Sequence, residues 1–229
     1  MNATTPSKAV LNKALFAVRT LDSAALGIRG TIFHSFDAPG EYEVFVERKG
    51  RTVHRELVRV STEQGGKQLD VDLGRPESEA SCDCGKRREG GANLAVHGVM
   101  AFYATQGTGT YTVRIARWGD KEKTIVLDSS KELPAGDLFA ATLVVPGTYR
   151  VLLGKEPFAS IRVRLPDPKR PHSTERPVLL QFGAKPDKES DVEIDSGGSV
   201  VLLLARSARV RVEPIDVIDG NGRGKVRSE

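Results

Sequence analysis

The stretch Ala38-Pro39-Gly40-Glu41-Tyr42-Glu43-Val44-Phe45-Val46 decides the fold class. Proline and glycine set a tight turn, and the residues behind it alternate: in an extended chain Tyr42, Val44 and Val46 share one side and Glu41, Glu43 and Phe45 the other. The pattern recurs twice. Gly107-Thr108-Gly109 precedes Tyr111-x-Val113-x-Ile115, and Pro146-Gly147 precedes Tyr149-x-Val151-x-Leu153. Three of the four tyrosines therefore occupy one slot, which makes Tyr42, Tyr111 and Tyr149 structural posts rather than reactive groups.

Each of these runs leads through a glycine into a second alternating segment. Val58 and Val60 follow Gly50, Ile125 and Leu127 follow Gly119, and Ile161, Val163 and Leu165 follow Gly154. Period-two alternation recurs wherever apolar residues gather, and no window sustains the spacing of an amphipathic helix beyond two turns. The class is all-β. With one face of each hairpin apolar, two packed antiparallel sheets are the expected outcome, so antiparallel β-sandwich modules built from repeated hairpins are predicted. The phrase Ala38-Pro-Gly-x-Tyr42-x-Val44 resembles the late hairpins of immunoglobulin-like and cupredoxin-like sandwiches. That resemblance implies a tyrosine hydroxyl tying a corner to nearby backbone.

Composition breaks define the organisation. Residues 75–92 hold Arg75-Pro-Glu-Ser-Glu-Ala-Ser-Cys82-Asp-Cys84-Gly and a basic Lys86-Arg87-Arg88 run, with almost nothing apolar; this predicts a Cys-containing linker or long loop. An N-terminal β module over 1–74 precedes it, a larger C-terminal β-sandwich over 93–214 follows, and 215–229 form a flexible tail. Residues 166–177 carry four prolines, which cannot donate to a sheet ladder, so the chain leaves the sheet there.

The chain has 229 residues, 39% hydrophobic and 28% charged, within the ordinary range of a globular protein. Its longest apolar runs, such as 199–205, are strand-sized and far short of a membrane helix, so no membrane association is expected. Arg19 closes the apolar patch after Lys13 too early for an export signal, which points to the cytoplasm. The net charge of +4 is mild, but Arg and Lys cluster at 48–55, 86–88, 169–176 and 206–211. Such clusters suit solvated loops and sheet edges, and nucleic acid is not the expected partner because aromatic residues are not interleaved with them.

Cys82-Asp83-Cys84 is the candidate metal site, since two thiolates and a carboxylate can converge on a soft metal. C-x-C supplies half of a tetrahedral set, so further ligands would come from His34, His54, His97 or His172; a redox thiol pair and an inert loop are the alternatives. A copper centre of the cupredoxin type is excluded, because no Cys or Met lies near the last hairpin. His34, Ser35 and Asp37 hold the raw material of nucleophilic catalysis, yet strand neighbours point to opposite faces. Trp118, Tyr103 and Phe102 are the available stacking surfaces for a glycan. The alternating acids Asp187, Glu189, Asp191, Glu193 and Asp195 read as a solvent-facing strand side, with Arg209 and Arg211 as counter-charges.

No catalytic set and no resident cofactor emerges. The function expected from these residues is a non-enzymatic structural or protein-interaction scaffold of β-sandwich modules, whose partners are other protein chains or copies of itself. The alternatives are a metal- or redox-linked protein using Cys82 and Cys84, and a glycan or small-molecule binding module.

Overall fold

The computed structural model describes residues 13–63, 65–74, 91–119, 122–166, 176–182 and 190–217. After a short 3-10 turn at Lys13–Phe16 come β1 (Leu21–Asp22), β2 (Gly30–Ser35), β3 (Gly40–Arg48), β4 (Arg51–Ser61) and β5 (Gly66–Asp72). The middle of the chain gives β6 (Ala92–Tyr103), β7 (Thr112–Trp118), β8 (Lys123–Asp128), β9 (Leu138–Thr142), β10 (Gly147–Leu153) and β11 (Glu156–Arg164). β12 (Val178–Phe182), β13 (Ser190–Asp195), β14 (Ser199–Leu204) and β15 (Val210–Val217) complete it. Strand content is what the alternation predicts. The chain ahead of β1 makes only the 3-10 turn and joins the sheet at Leu21.

The expected hairpins are present. β3 turns into β4, β7 into β8 and β10 into β11, all antiparallel. Lys49 and Gly50, with φ of 52° and 72°, form the left-handed two-residue link of the first, matching the natural twist of the strands it joins.

How the hairpins assemble overturns the sandwich expectation. The strands form an open β-solenoid of about three turns, not immunoglobulin-like or cupredoxin-like antiparallel β-sandwich modules. One sheet runs β12-β14-β9-β2-β6-β4-β3-β7-β8, with β5 also paired to β6, and the other runs β1-β15-β10-β11-β13. Neither path closes on itself. Four neighbouring pairs, β4 with β6, β5 with β6, β11 with β13 and β12 with β14, are parallel. Parallel neighbours require the chain to travel round and re-enter in the same direction, which a hairpin cannot do. Alternation reports which face of a strand is buried and is silent about the direction of its neighbours. That is why the repeated hairpins pointed to the wrong assembly.

One apolar core runs through the structure. Ile32, Phe102, Phe139, Val200 and Leu202 are fully buried, as are Val151 and Val212 on the smaller sheet. Each such side chain contributes roughly 1.5–3 kcal/mol of burial. Two features of this frame position the sites below. β2 lies between β9 and β6, and the β2–β9 register places Phe33 opposite Leu138. β8 ends the large sheet, so its outer edge has no neighbouring strand among the described residues. Among those residues, no helix is long and apolar enough to cross a membrane.

Candidate functional site

Two places hold chemistry that the packing does not fully absorb: a cleft beside β2 and the outward face of the sheet that ends in β8.

The cleft forms because the β2–β9 register, carried one step past Phe33 and Leu138, sets His34 opposite Asp137. His34 Nδ1 lies 2.9 Å from Asp137 Oδ1 and 3.0 Å from Oδ2, and both residues are buried. An ionised carboxylate only accepts, so Nδ1 donates to both oxygens. Burial pushes the Asp137 carboxyl above the ordinary range, against the downward pull of the His34 hydrogen bond. The His34 ring packs edge-on against Phe36 at 4.9 Å, and Phe36 packs edge-on against Tyr42 at 4.8 Å. Such edge-to-face contacts fix the imidazole plane. Among the described residues Nε2 has no hydrogen-bond partner, and His34 lines the cleft with a side chain that keeps 8% exposure.

That cleft has a volume of about 350 Å³, and Arg117 and Pro134 complete its wall. Arg117 donates from Nη2 to the Pro39 carbonyl at 2.7 Å and lies over the Tyr42 ring at 5.9 Å. Tyr42 in turn donates its hydroxyl to the Ala38 carbonyl at 2.7 Å. The turn Pro39-Gly40 thus holds both residues, and its backbone conformation favours glycine. Its φ is +151°, and an added Cβ would come within 3.1 Å of Arg117 Nε.

On the outward face, Glu43 of β3 stands between β4 and β7, and its side chain has no solvent exposure. Lys123 Nζ donates to Oε2 at 2.5 Å, and Arg55 donates to Oε1. Burial alone would raise this carboxyl; the two cations outweigh it and hold Glu43 below the usual carboxylate range. Around this buried carboxylate and its two cations three large apolar residues remain half-exposed: Leu57 at 52%, Trp118 at 47% and Ile125 at 50%. Leu57 is registered with Glu43, Glu43 with Ala116, and Ala116 with Ile125, so they share one row across the sheet. Lys123 also lies 4.1 Å from the Trp118 ring centroid, a close cation–π contact.

Ile125 was expected on the buried side with Leu127. A bulge in the β7–β8 pairing turns it outward, leaving Leu127 at 1% exposure. An extra residue in one strand reverses the facing of the residues beyond it.

The other expected residues are dispersed. Cys82 and Cys84 lie outside the described residues, as does His172. His54 pairs with Glu56 and exposed His97 with Asp37 at 3.5 Å, so neither joins His34. Among the described residues no three His, Cys, Asp or Glu side chains gather to hold a metal, and the metal- or redox-linked alternative finds no support. Asp37 is directed to His97, and the partner of His34 is Asp137 instead. The glycan-stacking set does not assemble, because Phe102 is fully buried while Trp118 lies outward. Arg164, not Arg209 or Arg211, meets Glu193 and Asp195; Arg209 binds Asp22 and Arg211 binds Glu213.

Of the three tyrosines expected as structural posts, Tyr42 and Tyr149 each donate a hydroxyl to the carbonyl four residues upstream, Ala38 and Val145. Tyr111 instead exchanges backbone hydrogen bonds with Leu26, with Arg48 over its ring.

No known protein family, no curated protein and no solved structure matches this chain. With no sandwich modules present, the scaffold expected from them is set aside as well.

Proposed function

We propose that the protein works by binding another protein chain, which lays an extended segment of carboxylates and apolar side chains along the free edge of β8 and over its outward face. The supporting observation is the buried Glu43, neutralised by Arg55 and Lys123, on the face that leaves Leu57, Trp118 and Ile125 half-exposed. Half-exposed large apolar groups gathered on one face are the usual ground for partner contact. Arg55, Arg59, Arg114 and Lys123 pair with Glu41, Glu43 and Glu47, of which Glu43 is withdrawn from solvent, and Asp128, in register with Arg114, pairs with Lys131, so five cations stand against four carboxylates. The surplus is cationic, so the complementary partner is acidic. Short of Asp128, which is bridged to Glu132, the outer backbone edge of β8 has no strand partner among the described residues and supplies the main-chain register by which an added strand is held.

The test is a fluorescence titration of Trp118 with a short peptide alternating Glu and Leu, beside a Lys-Leu counterpart. A saturable change with the acidic peptide alone, weakened by salt and lost in Ile125→Arg, supports the reading. Equal response to both peptides, or binding unchanged in Ile125→Arg, rejects it. A second copy as occupant would show instead as self-association that rises with concentration and is abolished by the same substitution.

A further inference from the structure

The geometry points to a carboxylate-binding site in the cleft beside β2, formed by His34 Nε2 and the Arg117 guanidinium. This goes beyond the docking face and stands without it, because it rests on other residues.

Both groups line the same cleft, and each is held from behind. Asp137 takes the Nδ1 side of the ring with both oxygens, which leaves Nε2 as the ring's only outward polar atom. Arg117 spends one N–H on the Pro39 carbonyl; its other N–H groups have no bond among the described residues and are open to solvent. With Nδ1–H committed to Asp137, Nε2 becomes a donor by taking up the proton that the entering acid brings, and the imidazolium so formed is paired through Nδ1 with Asp137. Nε2–H and the guanidinium then offer two charge-assisted donors to one incoming anion.

The acidic groups nearby do not compete for those donors. The Asp137 charge is taken up by His34, and Asp37 at the rim is 83% exposed and directed to His97. Tyr42 donates to Ala38, so its hydroxyl is occupied. Phe36 and Pro134 supply apolar wall, which suits the hydrocarbon part of a small organic acid or of a peptide terminus. A neutral amide of the same shape would meet two donors with one acceptor oxygen and carry no charge.

The experiment follows the His34 imidazole nitrogens by NMR while sodium acetate, and separately acetamide, is added to the intact protein. Acetate is expected to give a saturable shift at Nε2 and acetamide none. Arg117→Gln, at a half-exposed position, should weaken the acetate response by about tenfold or more, the loss of one charge-assisted contact. A parallel titration with a dipeptide and its C-terminal amide separates the sources: tighter binding of the free-acid dipeptide than of acetate assigns the site to a peptide terminus, and the reverse order assigns it to a small acid. Equal shifts with acetate and acetamide, or an acetate titration untouched by Arg117→Gln, would overturn the assignment. Loss of the Trp118 response to acidic peptide leaves this result unaffected, so the two readings fail separately.

Discussion

His34 and Asp137 stand 103 positions apart in the chain and 2.9 Å apart in space. Their meeting depends on one antiparallel register, β2 against β9, and on nothing local to either residue. Removing the carboxylate should therefore loosen this junction. Asp137→Ala is expected to lower stability by about 1–3 kcal/mol, the cost of leaving a buried polar partner unsatisfied, with Asp137→Asn losing less. Urea unfolding of the three proteins reads the order.

A pH dependence arises from the two buried carboxyls, with opposite signs. Glu43 is held below its ordinary value, so its contribution is present above the unfolded pKa of about 4.3 and is lost as pH falls through the lower folded value. Asp137 is raised, so its contribution is present below the unfolded pKa of about 3.9 and is lost as pH rises through the higher folded value. Acid unfolding of the native protein should shift to higher pH in Lys123→Met, where one of the two cations holding Glu43 down is gone. Withdrawing both cations, in Arg55→Met with Lys123→Met, leaves a buried unpaired charge and should cost about 3–5 kcal/mol near neutral pH.

The three tyrosines give a comparison within one molecule. Tyr42→Phe and Tyr149→Phe each delete a hydroxyl bond to a carbonyl four residues upstream and should each cost about 0.5–1.5 kcal/mol. The Tyr111 hydroxyl makes no hydrogen bond among the described residues, and Tyr111→Phe should stay within about 0.5 kcal/mol of the native protein. Thermal unfolding of the three variants, under identical conditions, checks the contrast.

Gly147 and Gly136 form a second matched pair. Both have positive φ, +145° and +89°, but a Cβ on Gly147 would lie 2.4 Å from the Asp216 carbonyl oxygen, whereas one on Gly136 meets nothing within 4 Å. Gly136→Ala carries backbone strain of about 1–3 kcal/mol, and Gly147→Ala must exceed it by the shift forced on β15. Denaturant midpoints of the two variants give the ranking directly.

Much of the strand structure is legible in the chain itself. Val44, Val46, Val113 and Ile115 are read as inward by alternation and are fully buried. Leu57, flanked by inward Val58, could have been found as an outward apolar residue by the same reasoning. Ile125 could not, because a bulge reversed its face and bulges leave no mark in period two. The parallel pairings escaped for a related reason, since strand direction is set by crossovers rather than by side-chain pattern. Asp137 carried no signal: it comes directly after Gly136 in a turn-like stretch, and only the β2–β9 register brings it to His34. Glu43 was visible as a carboxylate in an otherwise outward row, but its two covering cations come from strands paired on either side of the sheet segment.

The docking claim is tested most directly by amide hydrogen exchange across Lys123–Asp128 with and without a saturating Glu-Leu peptide. The account predicts slowed exchange at the β8 amides that β7 leaves unpaired, together with unchanged exchange in β13 at the edge of the other sheet. Unaltered β8 exchange at a peptide concentration that saturates the Trp118 signal would contradict it.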